Sequence, residues 1–252
     1  MNINTDKIKV YHTVDELATR LASDFQNVVN ESAKLNRQIH IALSGGSTPA
    51  RFFQKLASAP YRENIAWQNV HFFWGDERCV PPDHPDSNFG MTQKNLFDHL
   101  AIPEENIHRI FGENAPHDEA RRYASEIKQW LPRDQNGWPV FDWILLGLGT
   151  DGHTASIFPG SDVLEDRINI CAVATHPETG QRRITLTLPV INHAKRISFL
   201  VTGENKASVV SKILSASAPD KSLPASWVRP LNGHLEWRLD QSAATEIRCL
   251  HE

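Results

Sequence analysis

Several short, mainly apolar runs in the sequence, continuous in Trp143–Leu146, each lead straight into a glycine-containing turn. Trp143–Leu146 runs into Gly147, Ile39–Leu43 into Ser44, Gly45 and Gly46, and Val70–Trp74 into Gly75. An apolar run with no polar alternation suits a strand covered on both faces, as in a parallel sheet. Amphipathic stretches separate these runs. The first carries Val14, Leu17, Ala18, Leu21, Ala22, Phe25, Val28 and Val29 at helical spacing, to about Asn36. Strands alternating with helices predict a mostly parallel α/β sheet with helices on both faces. In such a sheet ligands meet the carboxyl ends of the central strands, so the turns after the strands are where chemistry is expected.

Along the chain, Val10–Tyr11 reads as a short strand, and Thr13 as a helix N-cap with Glu16 completing a capping box. After Ile39–Leu43, Ser47 or Thr48 is the expected cap of the next helix and Pro49 suits its first turn. Residues 80–90 read as a polar loop containing His84, Ser87 and Asn88, residues 92–100 as a helix, and residues 103–110 as a connector with a short strand over 107–110. A helix is expected over 117–131, and strands over 168–174, 183–188 and 196–202. A helix over 204–215, a short parallel strand over 224–228, a closing helix over 235–244 and an edge strand over 247–250 complete the reading.

Composition removes several function classes. The net charge of −4 offers no footprint for nucleic acid or an anionic membrane. No apolar run reaches the roughly 20 residues needed to span a bilayer. The first residues lack the apolar core of a signal peptide. Cys79, Cys171 and Cys249 are odd in number and widely spaced, unlike a disulfide framework or a CxxC metal site, so a reducing cytoplasmic setting is expected.

Chemistry concentrates at residues 141–159, FDWILLGLGTDGHTASIFP. Gly147, Gly149 and Gly152 suit a tight turn with positive φ. Asp151 and His153 lie in it. The run Gly147 to Gly152 formally matches GxGxxG, but Asp151 would repel a pyrophosphate and Pro159 would break the helix that a dinucleotide site requires. The 12 histidines form no HxH or HxxxH pair, and no GxSxG elbow is present. A histidine general base remains, since imidazole exchanges a proton near neutral pH. Asp151 either orients it or holds the turn. Ser44, Gly45, Gly46 and Ser47, between a strand and a helix start, read as an anion-binding turn or as an ordinary tight turn. Gly75-Asp76-Glu77-Arg78, read alone, suits a solvated loop.

Taken together, SGGSTP at 44–49, GDER at 75–78, GLGTDGHTASIFP at 147–159, RITLTLPVIN at 183–192, TGENKA at 202–207 and LPASWV at 223–228 resemble the 6-phosphogluconolactonase family, in order over nearly the whole chain. The GxGxDGH element alone is shared with glucosamine-6-phosphate deaminases. The continuation Thr154 to Pro159 is similar to the lactonases, where deaminases carry Asn-Glu-Pro. The resemblance implies one α/β domain over residues 1–252: a Rossmann-like sheet with a smaller α/β lobe, shared with deaminases, ribose-5-phosphate isomerases and CoA transferases. It implies hydrolysis of a phosphosugar lactone, without metal or cofactor, by a monomer or small homo-oligomer. His153 becomes the base, with Asp151 and Asp76 in support. Ser44, Gly45, Gly46, Ser47, Arg78, Arg183 and Lys206 become the substrate and phosphate site. Arg183 is preferred over its neighbour Arg182, which points the other way if both lie in a strand. The alternatives are a deaminase or isomerase using Asp76 as carbon-acid base, and a sugar-phosphate-binding protein without turnover.

Overall fold

The computed structural model describes residues 8–247. Within them lie strands β1 (Ile8–Tyr11), β2 (Ile39–Leu43), β3 (Val70–Trp74), β4 (Asp76–Arg78) and β5 (Trp143–Leu146). They continue as β6 (Cys171–Thr175), β7 (Arg182–Leu186), β8 (Arg196–Val201) and β9 (His234–Asp240). The helices are α1 (Val14–Lys34), α2 (Ser47–Leu56), α3 (Tyr61–Asn64), α4 (Asn88–Asn95), α5 (Pro116–Trp130), α6 (Asp162–Glu165), α7 (Leu188–Asn192) and α8 (Ala207–Ser215). Six strands form a sheet in the order β1-β9-β8-β5-β2-β3, parallel at every pairing. The remaining three form a small antiparallel sheet in the order β4-β7-β6.

The unalternating apolar runs are the central strands. Every residue of β2, β3 and β5 is buried. On one side Phe25 of α1 meets Phe52 of α2 at 5.8 Å and Trp143 of β5 at 6.3 Å. On the other, Phe73 of β3 packs on Tyr123 of α5 at 6.4 Å and on Phe141 at 5.4 Å. Burying each such phenyl ring contributes about 1.5–3 kcal/mol. The helix start at Thr13 forms as predicted: its hydroxyl accepts from the Glu16 N–H at 3.1 Å, while the Glu16 carboxylate accepts from the His12 N–H at 2.9 Å.

The structure corrects the reading of the C-terminal part. Where a helix is expected over 235–244, His234–Asp240 is the strand β9, followed by a 3-10 turn over Ser242–Ala244. Leu235, Trp237 and Leu239 alternate with Glu236, Arg238 and Asp240, which is strand periodicity. Glu236 and Arg238 are fully buried because they satisfy each other: Arg238 Nε donates to Glu236 at 3.0 Å, and Arg196 and Ser198 donate to the same carboxylate. These cationic and hydroxyl partners overcome the cost of burial and hold Glu236 down at about 2. With β9 in the sheet, residues 224–228 have no strand to make, and Pro224–Trp227 is a 3-10 turn. The expected strand at 247–250 lies outside the described residues, apart from Ile247, which is not in a strand.

Smaller differences have local causes. The helix placed at 92–100 starts at Asn88, because the Ser87 hydroxyl caps it by accepting from the Gly90 N–H at 3.0 Å. The polar loop placed at 80–90 accordingly ends at Ser87. Around Ile107 there is only one bridge, to Phe72. The strand placed at 168–174 begins at Cys171, since Asp166 ties the Ile168 and Asn169 N–H groups into a turn and Ile168 is 85% exposed. Gly75 to Arg78 is no solvated loop: Asp76–Arg78 is β4.

Tyr123 closes the open edge of β3. Its buried hydroxyl accepts from the Trp74 N–H at 2.8 Å and donates to the Trp74 carbonyl at 3.0 Å. Tyr123→Phe leaves both backbone groups buried and unpaired, at an expected cost of about 1–3 kcal/mol. Urea unfolding should show a lower midpoint at unchanged slope; an unchanged midpoint would mean that the hydroxyl does not support the strand.

Candidate active site

The strand order fixes where a site can form. From β2 the chain moves outward to β3, then returns to β5 on the other side of β2 and continues to β8 and β9. The winding reverses between β2 and β5, so the turns after these two strands open side by side into a crevice. Ser44, Gly45 and Gly46 follow β2, and Gly147 to His153 follow β5. β3 does not stop at this level. It crosses to the small sheet over one residue, Gly75, whose N–H donates to the Leu43 carbonyl at 2.8 Å and whose carbonyl accepts from Leu186 at 2.8 Å. The crossing sets β4 against β7 with Asp76 opposite Thr185 and Arg78 opposite Arg183. The result is a cavity of about 210 Å³ lined by Ser44, Gly45, Gly46, Asp76, Arg78, Asn88, Gly147, Leu148, Gly149, His153, Ala155, Arg183 and Lys206.

His153 is held from three sides. Its Nδ1 lies 2.6 Å from Asp151 Oδ1, and its backbone N–H donates to the same oxygen at 3.1 Å. Asp151 therefore does both jobs the sequence left open: it orients the ring and ties the turn. An ionised carboxylate at Nδ1 accepts its proton and leaves Nε2 as the basic atom. Burial pushes the Asp151 carboxyl up, but the backbone N–H, charge and ring of His153 outweigh it and hold the group below the usual range. Phe158 packs against the imidazole at 4.8 Å. Of the three turn glycines only Gly152 takes positive φ, at 84°. Gly149 is small for another reason: a Cβ there would sit 2.1 Å from His153 Nδ1 and 2.4 Å from Asp151 Oδ1.

The cations form a second group. Arg78 and Arg183 are direct cross-strand partners on one face of the small sheet, and like charges so placed destabilise unless an anion joins them. Each has a buried Nε with no partner among the described residues, and Ser44 Oγ likewise has none. Burial presses the Arg183 guanidinium below its ordinary range, partly offset by Asp76, and Arg78 adds to the lowering. Burial also lowers Lys206, with Asp151 pulling the other way. Half-buried cations with free donors beside a Ser-Gly-Gly turn suit a phosphate. Arg182 lies off this face, against His117 at 3.1 Å.

Two predicted residues are placed differently. Ser47 does not line the cavity. Its side of α2 faces a separate hollow with Asp15, Arg51 and Thr202. Nor does Ser47 or Thr48 cap the helix: Gly46, at φ 105°, is the N-cap, and Thr48 Oγ1 pairs with Thr202 Oγ1 at 2.7 Å. Asp151 is also outside the lining and reaches the cavity only through His153. Asp76 is buried and engaged: Oδ2 accepts from Ser156 Oγ at 2.5 Å, and the Asp76 carbonyl accepts from Asn88 Nδ2 at 2.8 Å. Asn88 and Ser156 were not predicted as site residues. Gly45 carried a trace of the first, since a residue restricted to glycine implies a close neighbour: a Cβ at Gly45 would meet Asn88 Oδ1 at 1.8 Å.

A larger groove, about 780 Å³, runs between α5 and β6 and contains none of these groups. Among the described residues no three His, Cys, Asp or Glu side chains converge as a metal site requires.

Residues 12–237 match the family model described as glucosamine-6-phosphate isomerases/6-phosphogluconolactonase. The chain is similar to a 6-phosphogluconolactonase of Haemophilus influenzae, at 49% identity over 92% of this chain and 94% of the relative. It is similar to that of Aggregatibacter actinomycetemcomitans at 50% identity over 84% and 89%. The solved structure of 6-phosphogluconolactonase from Trypanosoma brucei superposes with a TM-score of 0.84 at 31% identity, covering 96% of this chain and 98% of that one.

The cation cluster is testable with inorganic phosphate as probe. Calorimetry should detect binding to the wild type. Arg183→Ala should weaken it about tenfold or more, as expected for loss of a charge-assisted hydrogen bond of about 1.5–3 kcal/mol. Ser47→Ala should leave it unchanged. Equal affinity in wild type and Arg183→Ala would remove the anion reading of the cluster.

Proposed function

The chain belongs to the glucosamine-6-phosphate isomerases/6-phosphogluconolactonase family, and from that premise we propose how its cleft works. The reaction is hydrolysis of 6-phospho-D-glucono-1,5-lactone to 6-phospho-D-gluconate, a step of the oxidative pentose phosphate pathway. The observation that carries our reading is the placing of an Asp151-oriented imidazole in the same small cavity as the facing pair Arg78 and Arg183.

The substrate phosphate docks on Arg78, Arg183 and Lys206, with Ser44 and the Gly45–Gly46 backbone supplying further donors. This anchors the lactone with its carbonyl toward His153. Nε2 removes a proton from water as the water oxygen attacks the carbonyl carbon. The tetrahedral oxyanion collapses by breaking the bond to the ring oxygen, and the imidazolium returns its proton to that oxygen as the 5-hydroxyl forms. The carboxylic acid product then ionises, releasing one proton per turnover. A lactone is reactive enough that no covalent intermediate is needed. Asp151 keeps Nδ1 occupied and stabilises the imidazolium that forms between the two proton transfers.

Proton release from freshly prepared lactone, corrected for its spontaneous hydrolysis, tests the reading. The wild type should release protons well above the blank, with or without chelator. His153→Ala should lower kcat by about 10²–10⁴-fold, the usual worth of a positioned base, while inorganic phosphate still binds. Asp151→Asn should lower kcat less than His153→Ala and leave KM near the wild-type value. Undiminished turnover in His153→Ala would sink the base assignment. No release above the blank in the wild type, with ammonia formed from glucosamine 6-phosphate, would favour the deaminase alternative.

A further inference from the structure

Glu77 is a nearly fully buried carboxylate that the mechanism above leaves without work. It lies on β4 between Asp76 and Arg78, opposite Ile184, so its side chain leaves the sheet on the face away from the cleft. It has no cationic partner among the described residues. Its two oxygens instead collect four donors: Oε1 accepts the N–H groups of Asn88 at 2.7 Å and Arg78 at 2.8 Å, and Oε2 accepts the Phe89 N–H at 2.7 Å and the Ser87 hydroxyl at 3.1 Å. Three of these donors belong to the start of α4. Burial holds the Glu77 carboxyl above its ordinary range, and the N–H groups of Phe89, Asn88 and Arg78 draw it back only in part.

The segment carries Asn88 into the cavity. The Asn88 amide is placed tightly. Nδ2 donates to the Asp76 carbonyl at 2.8 Å and approaches its carboxylate at 3.5 Å. With the NH₂ turned to Asp76, Oδ1 faces Gly45, over a Cα that has no room for a side chain. Oδ1 is an acceptor in a cavity where Ser44, Arg78, Arg183 and Lys206 supply donors and the Asp76 carboxylate is already engaged by Ser156 and the Asn88 amide. A sugar substrate brings hydroxyl donors as well as a phosphate, and those hydroxyls need an acceptor.

We infer that Asn88 is a further substrate-binding residue, accepting a hydroxyl of the bound sugar phosphate at Oδ1, and that Glu77 is its positioning residue, holding α4 so that the amide stays wedged between Gly45 and Asp76. This deepens the lactonase reading and rests on it. Glu77 acts on binding, not on the proton transfers at His153, so its removal appears in KM.

The test is steady-state hydrolysis of the phosphogluconolactone by wild type, Asn88→Ala, Glu77→Gln and the double variant, with active fraction set by near-ultraviolet circular dichroism. Glu77→Gln keeps the shape but replaces one acceptor by an NH₂ that faces N–H groups. Asn88→Ala should raise KM about tenfold, the worth of one hydrogen bond near 1.4 kcal/mol, with kcat per folded molecule within about twofold. Glu77→Gln should raise KM in the same direction and add less than about twofold to KM in the Asn88→Ala background. The pH profile of kcat should not move. A wild-type KM in Asn88→Ala overturns the inference, whether or not Glu77→Gln folds. So do additive KM effects, or a Glu77→Gln defect limited to a lower folded fraction. Absence of wild-type turnover would instead remove the lactonase reading itself, so the two failures are distinct.

Discussion

The cleft depends on one backbone event: β3 leaves the parallel sheet and becomes part of the antiparallel one with only Gly75 between them. Gly75 is bonded to both, to Leu43 of β2 and to Leu186 of β7. Two sheets joined by a single residue can share little rotational freedom, so the small sheet stands in a fixed relation to the crevice between β2 and β5. The register of β4 on β7 then decides which side chains reach it. A slip of one residue would part them, placing Asp76 and Arg78 on the face of Ile184 and Glu77 on the face of Arg183. Tyr123 on the outer edge of Trp74 and Ser156 on Asp76 hold the crossing from opposite ends.

Charge is distributed unevenly around this crossing. The cationic groups sit on the small sheet and at the start of α8, half-buried and with donors unspent. The acid that orients His153 sits outside the cavity, behind the imidazole. An arrangement of this kind carries a cost while the site is empty, because desolvated guanidinium groups face each other. A dianionic phosphate docked there, as proposed, would remove that cost. Phe158 joins the two halves, touching His153 at 4.8 Å and Arg183 at 5.5 Å, so imidazole and guanidinium are spaced by one rigid ring.

Much of this was legible in the sequence wherever a local rule and the tertiary demand agreed. The apolar runs announced the central strands, and the glycine turns after β2 and β5 announced the crevice. Strand alternation sets Arg182 and Arg183 on opposite faces, and the match of 183–192 to the family motif favours Arg183. What the sequence hid depended on distant partners. β9 reads as polar because Glu236 and Arg238 look exposed until Arg196, Ser198 and Asp24 are brought around them from β8 and α1. Ser47 belongs to the right turn, but Gly46 takes the cap position and the chain has already turned the Ser47 side chain out of the cavity. Asn88 lies more than 40 residues from Gly45, and only the fold shows that one is small because of the other.

The same contacts bear on which chemistry the family scaffold performs here. Glycine-rich turn, aspartate and histidine are common to lactonase-like and deaminase-like sequences, so they do not decide between them. The segment after His153 does. In this chain the Thr154 hydroxyl is tied to the Gly147 carbonyl at 2.9 Å, Ala155 takes a left-handed φ of 48°, and the Ser156 N–H donates to Thr185 Oγ1 at 3.2 Å. That turn delivers the Ser156 hydroxyl to Asp76 Oδ2. Shifting a proton between adjacent sugar carbons needs a carboxylate free to approach a C–H bond. The Asp76 carboxylate is buried and already accepts from Ser156 on one oxygen, with the Asn88 amide against the other. It is suited to bracing the cleft rather than to proton abstraction from carbon, in keeping with the proposal that His153 is the base, and a water-attacked lactone is a reaction for which one such group suffices.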